Sequence, residues 1–283
     1  MPTTRQIHMM LTRQPTMEGA GVHLNRVFGF SEAPRLDPFL MLDDFRSDTP
    51  AHYRKGFPWH PHRGIETITY VTKGEVDHGD SLGNTGVISS GDVQWMTAGS
   101  GIIHQEMPRG DADGAMHGFQ LWTNLPASQK MMPPRYRGIT AIQIPTAEMK
   151  NGVQVRVIAG TLEGVRGPME EIVIDPEYFD CTVPAGETFV HGTHPAYTAF
   201  IYVIGGAGQT GGEAIENGKL VLYAAGEQLA VSAGEEPVRF LLLTGKPLKE
   251  PVAWRGPIVM NTEAELETAF QEYQEGTFIK QPR

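Results

Sequence analysis

Eight segments of this chain constrain its fold more than anything else in it. VHLNRVFGF, TITYVTKG, GFQLWTNL, VQVRVIAG, YTAFIYVIG, KLVLYAAG, QLAVSA and VRFLLLTG are rich in β-branched and aromatic residues and bounded by Gly, Pro or Asp. Turn signals recur about every 8–12 residues, the spacing of an all-β sandwich or barrel. The 33 glycines and 21 prolines supply those turns without forming a low-complexity tract. At 283 residues the chain is long for one core and comfortable for two. ASQKMMPPRYRGITAIQIPTAEMKNG, residues 127–152, carries prolines and polar residues without a sustained strand pattern. The expected organisation is a domain over 1–130, a connection over 131–152 and a second domain over 153–283. One helix is expected at about 262–275: Thr262 can cap it, Glu265 is the reciprocal capping-box partner, and Leu266, Phe270 and Tyr273 repeat at helical spacing.

Composition narrows the function classes. Apolar residues make up 40% and charged residues 20%, as in a soluble globular protein. A net charge of −10 argues against a nucleic-acid surface, which needs clustered Lys and Arg, but leaves protein partners open. Cys181 stands alone, so there is no intrachain disulfide and no thiolate metal site. MPTTRQIHMMLTRQPT does not read as a signal peptide, and no run approaches the roughly 18 apolar residues that would span a bilayer. The expected location is cytoplasmic, with no membrane contact.

The two halves resemble each other weakly. YVTKG (70–74) followed by SSGDVQWMTAG (89–99) has a counterpart in YVIGG (202–206) followed by YAAGEQLAVSAG (223–234), which suits a duplicated barrel. The halves differ in their histidines. Six of the ten fall between positions 52 and 117, whereas the second half has only His191 and His194, in a stretch that reads as a loop.

Within that cluster, two pairs have a shared geometry. Residues i and i+2 of a strand point to one face, so His60 and His62 project together, as do His104 and Glu106. The 104 − 60 = 44 residues between them leave room for antiparallel strands to bring the pairs face to face. Three imidazoles and a carboxylate suit Fe, Mn, Ni, Cu or Zn, with positions open for substrate or oxygen. Glu66 is a competing carboxylate for the fourth place, and His78 and His117 read as outer or surface residues. Phe57, Trp59, Trp95, Met96, Phe119 and Trp122 are candidates to line a flat cavity or to fill the barrel core.

GFPWHPHRGIETITY, HGDSLGNTGVISSGDVQWMTAGSGIIHQEMP, HGFQLWTNLP and GPIVMNT resemble the pirin family of bicupins, as do LDPFLMLDDF (36–45) and GKPLKEPV (245–252). The general cupin pattern is met loosely, because Gly56 precedes His60 by four positions. The pirin version, G-F-P-x-H-P-H-R-G, is met fully by residues 56–64. The resemblance implies an all-β fold of two tandem cupin (double-stranded β-helix, jelly-roll) barrels, with one metal in the first and none in the second. It assigns His60, His62, His104 and Glu106 as ligands, which favours Glu106 over Glu66. It also implies one divalent ion, iron(II) foremost, with Mn, Ni, Cu, Co or Zn as alternatives.

Bacterial pirin-like proteins are similar to quercetin 2,3-dioxygenases. That similarity implies a flavonol substrate and O2, with Glu106 as catalytic base at the 3-hydroxyl and loss of carbon monoxide from the ring. The rival expectation from the same family is a metal-dependent, redox-sensitive regulator that docks on a transcription factor or metabolic enzyme and turns nothing over.

Overall fold

The computed structural model describes residues 2–280. In chain order the first half holds β1 (Ile7–Thr12), β2 (Gln14–Glu18), β3 (Val22–Phe28), the helical turn α1 (Ala33–Leu36), β4 (Phe39–Asp44), β5 (Phe57–His62) and β6 (Ile65–Lys73). β7 (Glu75–Asp80), β8 (Thr85–Ile88), β9 (Val93–Thr97), β10 (Ile102–Arg109), β11 (His117–Asn124) and β12 (Arg135–Ile139) follow. The second half has β13 (Thr146–Glu148), β14 (Gln154–Ala159), the small hairpin β15 (Thr161–Leu162) and β16 (Val165–Arg166), β17 (Glu177–Val183) and β18 (Thr188–Gly192). It continues with β19 (Thr198–Thr210), β20 (Glu213–Glu216), β21 (Lys219–Tyr223), β22 (Gln228–Gly245), β23 (Ala253–Arg255), β24 (Ile258–Met260) and α2 (Glu263–Gln274). No helix among the described residues is long and apolar enough to cross a membrane.

These elements form two units, each a β-barrel. The first barrel gathers Gln14–Arg35, Phe39–Ala141 and the chain from Leu248 onward. It pairs a seven-stranded sheet, β12-β9-β6-β11-β4-β3-β2, with a four-stranded one, β5-β10-β7-β8. β6 is β-branched along most of its length and buried from Ile65 to Val71, as suits a central strand. Gly74, at φ 79°, separates β6 from β7, and a Cβ there would press on the Arg109 carbonyl. Short apolar clusters close the barrel around Val22, Leu24, Val71 and Val76 at one place and Ile65, Met96 and Ile102 at another.

The second barrel gathers the chain up to Arg13, Leu36–Pro38 and Ile142–Pro247. Its strands form one ladder, β1-β21-β19-β22-β17-β14-β13, with β18 on β22 and β20 on β19. The long β19 and β22 stay paired through two register shifts, near Val203/Gly205 and Gly206/Gly208. Bulges of this kind let one strand bend round a barrel corner without ending. One continuous apolar cluster fills this barrel, including Phe179, Phe189, Leu229, Val231, Phe240 and Leu242.

By contact, the two units interleave along the chain. β1 joins the second barrel by pairing with β21, and β23, β24 and α2 belong to the first. Pairing over such sequence distances leaves no local signal. The stretch expected as a connection is also more ordered than its composition suggested, because β12 pairs with β9 and β13 with β14. Both are edge strands, where weak alternation and nearby prolines are tolerated. The helix has the expected cap, with Thr262 and Glu265 bonded reciprocally. Leu266 and Ala269 are buried, and Phe270 packs against the same cluster, whereas Tyr273 is 40% exposed.

Candidate metal centre

β5 is an edge strand, which is why it accepts two prolines in six residues. His60 and His62 therefore share a face, and the antiparallel partner β10 sets His104 opposite His60 and Ile102 opposite His62. The register slips between His104 and Glu106, so that Glu106 stands opposite Phe57. The three rings converge, with centroids 4.4 Å apart for His60 and His104, 4.8 Å for His60 and His62, and 5.0 Å for His62 and His104. One nitrogen from each lies within 4.8 Å of the others.

Neighbouring carbonyls decide which nitrogens face inward. His60 Nδ1 donates to the Pro58 carbonyl at 2.8 Å and His62 Nδ1 to the Pro257 carbonyl at 3.0 Å. Both Nε2 atoms are thereby left as lone-pair donors, 3.0 Å from each other. Neither ring nitrogen of the buried His104 has a hydrogen-bond partner among the described residues. Burial holds all three imidazoles below the usual histidine range, and the neighbouring rings push His62 and His104 further the same way. Three neutral imidazoles, two of them with the outer nitrogen tied to backbone oxygen, fit a borderline divalent ion.

Glu106 stands outside this tight cluster but lines the same cavity as His60 and His62. Burial pushes its carboxyl up to about 7, opposed by a hydrogen bond from Thr69. Thr69 Oγ1 lies 2.8 Å from Glu106 Oε1 and 2.7 Å from the Gln120 amide oxygen, and its single proton serves one of them at a time. Glu66 is on the opposite face of β6 from Thr69, buried and bonded by Thr97 and Thr123, so it takes no part. His117 pairs with Asp48, while His78 packs against Tyr136.

The cavity has a volume of about 600 Å³, within the range of small-molecule sites. Of the expected aromatic lining, Phe57, Trp59 and Trp122 do line it, whereas Trp95, Met96 and Phe119 are buried core. Trp122 meets His62 edge-on at 5.0 Å. Phe30 and Trp254, 5.5 Å apart, stand at the cavity as well.

Sequence reasoning missed the residues that hold the histidine strand in place. Arg63 is 2% exposed; it donates to the Ser100 and Phe278 carbonyls, pairs with Glu272 at 2.8 Å and lies over the Phe278 ring. Lys130, also buried, donates to the Gly64 carbonyl, Asn124 and the Val259 carbonyl at 2.9, 2.6 and 3.1 Å. Gly64, at φ 79°, turns the chain so tightly that any Cβ would strike the Val259 carbonyl. An arginine directly after H-x-H, within a β-rich run, was the one available signal. Pro257 left none, because it acts through its backbone from 195 residues away.

Residues 21–123 match the Pirin family model and residues 178–279 match the Pirin C-terminal cupin domain. The chain belongs to the pirin family. A pirin-like protein of Caulobacter vibrioides is 43% identical over 97% of this chain and 99% of its own length. A Vibrio cholerae protein named putative quercetin 2,3-dioxygenase is 41% identical over 98% and 99%. Among solved structures, a quercetin 2,3-dioxygenase from Acinetobacter baumannii superposes with a TM-score of 0.89 at 32% identity, covering 97% of this chain and 98% of that one. The architecture is accordingly the pirin pair of cupin domains.

Proposed function

We propose that this pirin is a mononuclear metal-dependent dioxygenase cleaving a flavonol such as quercetin with O2, with His60, His62, His104 and Glu106 as ligands and iron(II) as the ion. The observation that carries the reading is the convergence of three neutral imidazoles, those of His60 and His62 on the wall of an aromatic-lined cavity. The relatives named for quercetin cleavage support the substrate class. A bound divalent ion would orient flavonol and O2 and offset the charge of the deprotonated 3-hydroxyl.

The rest falls to the chain's own side chains. Glu106, buried at the cavity wall, is the carboxylate placed to accept the proton of the 3-hydroxyl. Thr69 orients that carboxylate through its hydroxyl. Trp122 and Phe57 offer apolar faces against which flat rings pack, and they exclude water from the reacting carbons.

The test is oxygen uptake by iron-reconstituted protein given quercetin, beside the His104→Ala variant. Uptake that needs both quercetin and His104 supports the assignment. Absence of uptake with iron bound removes catalysis on flavonols and leaves the metal-dependent regulator.

A further inference from the structure

The seven-stranded wall of the cavity carries a polar row of which the chemistry above uses only Thr69. Arg26 on β3 is the register partner of Asp43 on β4, Asp43 of Gln120 on β11, and Gln120 of Thr69 on β6. All four line the cavity, as the alternation of Leu24 with Arg26, Met41 with Asp43 and Trp122 with Gln120 demands. One row along, the same strands present Thr67, Trp122 and Met41, a largely apolar surface. A second apolar row would have packed as well at lower desolvation cost, because buried polar groups are unfavourable unless paired.

The row is charged as well as polar. Arg26 binds Asp43 through two hydrogen bonds, at 2.9 and 2.8 Å, and reaches Glu18 at 3.0 Å with its other terminal nitrogen. Two carboxylates face one guanidinium, so this stretch of wall repels anions and accepts hydroxyl donors. The second Glu18 oxygen and the Gln120 amide nitrogen make no hydrogen bond among the described residues. Both groups line the cavity.

Resting on the flavonol reading, we propose that this row selects the substrate by reading phenolic hydroxyls on the parts of the ligand that do not approach the histidines. Glu18 and Gln120 are the specificity-determining contacts, Arg26 and Asp43 fix them in place, and polyhydroxylated flavonols are the ligand class.

Two probes separate the ideas. Quercetin and 3-hydroxyflavone share the 3-hydroxyl, and only quercetin carries the others. Their affinities for zinc-loaded protein, in which the redox-inert ion permits no turnover, are read by fluorescence quenching. Wild type should bind quercetin about tenfold tighter, as one well-made hydrogen bond to a charged group allows. The ratio should fall to about threefold or less in Glu18→Gln and in Gln120→Met. Glu18 is 42% exposed, so its variant keeps the test alive if the Gln120 variant fails to fold. Equal affinities in wild type, or a ratio that survives both substitutions, overturn the inference and leave the flavonol reading standing. Binding of neither flavonol overturns that reading, and the inference with it.

Discussion

Each barrel has a short edge strand that carries a histidine and pairs antiparallel, and the two are filled differently. In the first, β5 against β10 sets His60 opposite His104 and His62 opposite Ile102. In the second, β18 against β22 sets Phe189 opposite Val231 and His191 opposite Leu229. Matched on His62 and His191, the two ladders set Phe189 against His60, Val231 against His104 and, without the slip that the first ladder has there, Ala233 against Glu106. His191 alone keeps its imidazole, buried and bonded to Glu177, which also accepts from Thr244. Phe189 and Val231 join the apolar cluster, and the space that is a cavity in one barrel is core in the other. A fold of this kind can support either chemistry or packing at one ring of positions, and three side chains mark the difference.

The largest test of that comparison removes the polar set. His104→Ala should reduce bound metal from about one ion per chain to near none, measured by elemental analysis after gel filtration. A tightly held ion in that variant would place the site elsewhere. The converse test is Phe189→His with Val231→His and Ala233→Glu, which with His191 rebuilds the first barrel's pattern in the second. Without metal this variant should lose more than about 4 kcal/mol in denaturant melts, from cavities and buried polar groups. Added zinc should recover part of that loss and raise the stoichiometry toward two. Failure to gain an ion would show that register alone is insufficient.

Smaller effects probe how the first barrel is held open. Lys130→Met strands oxygen acceptors that the amine bonds, two at a time when it is neutral, and should cost about 2–4 kcal/mol at pH 9. Burial pulls the Lys130 amine from 10.5 down to about 7, against the attraction of Glu250 and Glu265. The unfolded chain therefore binds the extra proton between those values, and the wild-type contribution grows as pH rises from 7 to 10.5. The stability gap between wild type and variant should widen over that window, and a constant gap would contradict the assignment. Smallest is the response of Cys181, fully buried in the second barrel with its thiol pushed up by burial. It should resist alkylation until the second barrel unfolds, so its labelling reports that barrel independently of the metal.

Much of the site was legible because its logic is local. H-x-H and H-x-E each place two side chains on one strand face, and Thr262 with Glu265 announces α2 within four residues. The illegible parts depend on contacts between distant segments. Lys130 sits in a stretch that reads as linker, and the residues it fastens lie at 64, 124 and 259. His191 reads as loop, because nothing nearby shows that β18 adds to the edge of β22. Trp95, Met96 and Phe119 were indistinguishable from Phe57, Trp59 and Trp122 by residue type. Only strand alternation against a known neighbour separates wall from core. The Glu106 carboxyl sits on Thr69 rather than among the imidazoles, which depends on side-chain geometry that spacing does not encode.

The interleaved ends of the chain have a consequence for the order in which the protein is made. The carbonyl that orients His62 belongs to Pro257, and the backbone that Lys130 and Arg63 grip belongs to Val259 and Phe278. A nascent chain can emerge from the ribosome with every histidine of the centre in place and still lack the groups that aim them. The oriented arrangement therefore forms only after the chain has been made through Phe278, and a product that stops before Pro257 lacks the carbonyl that fixes His62.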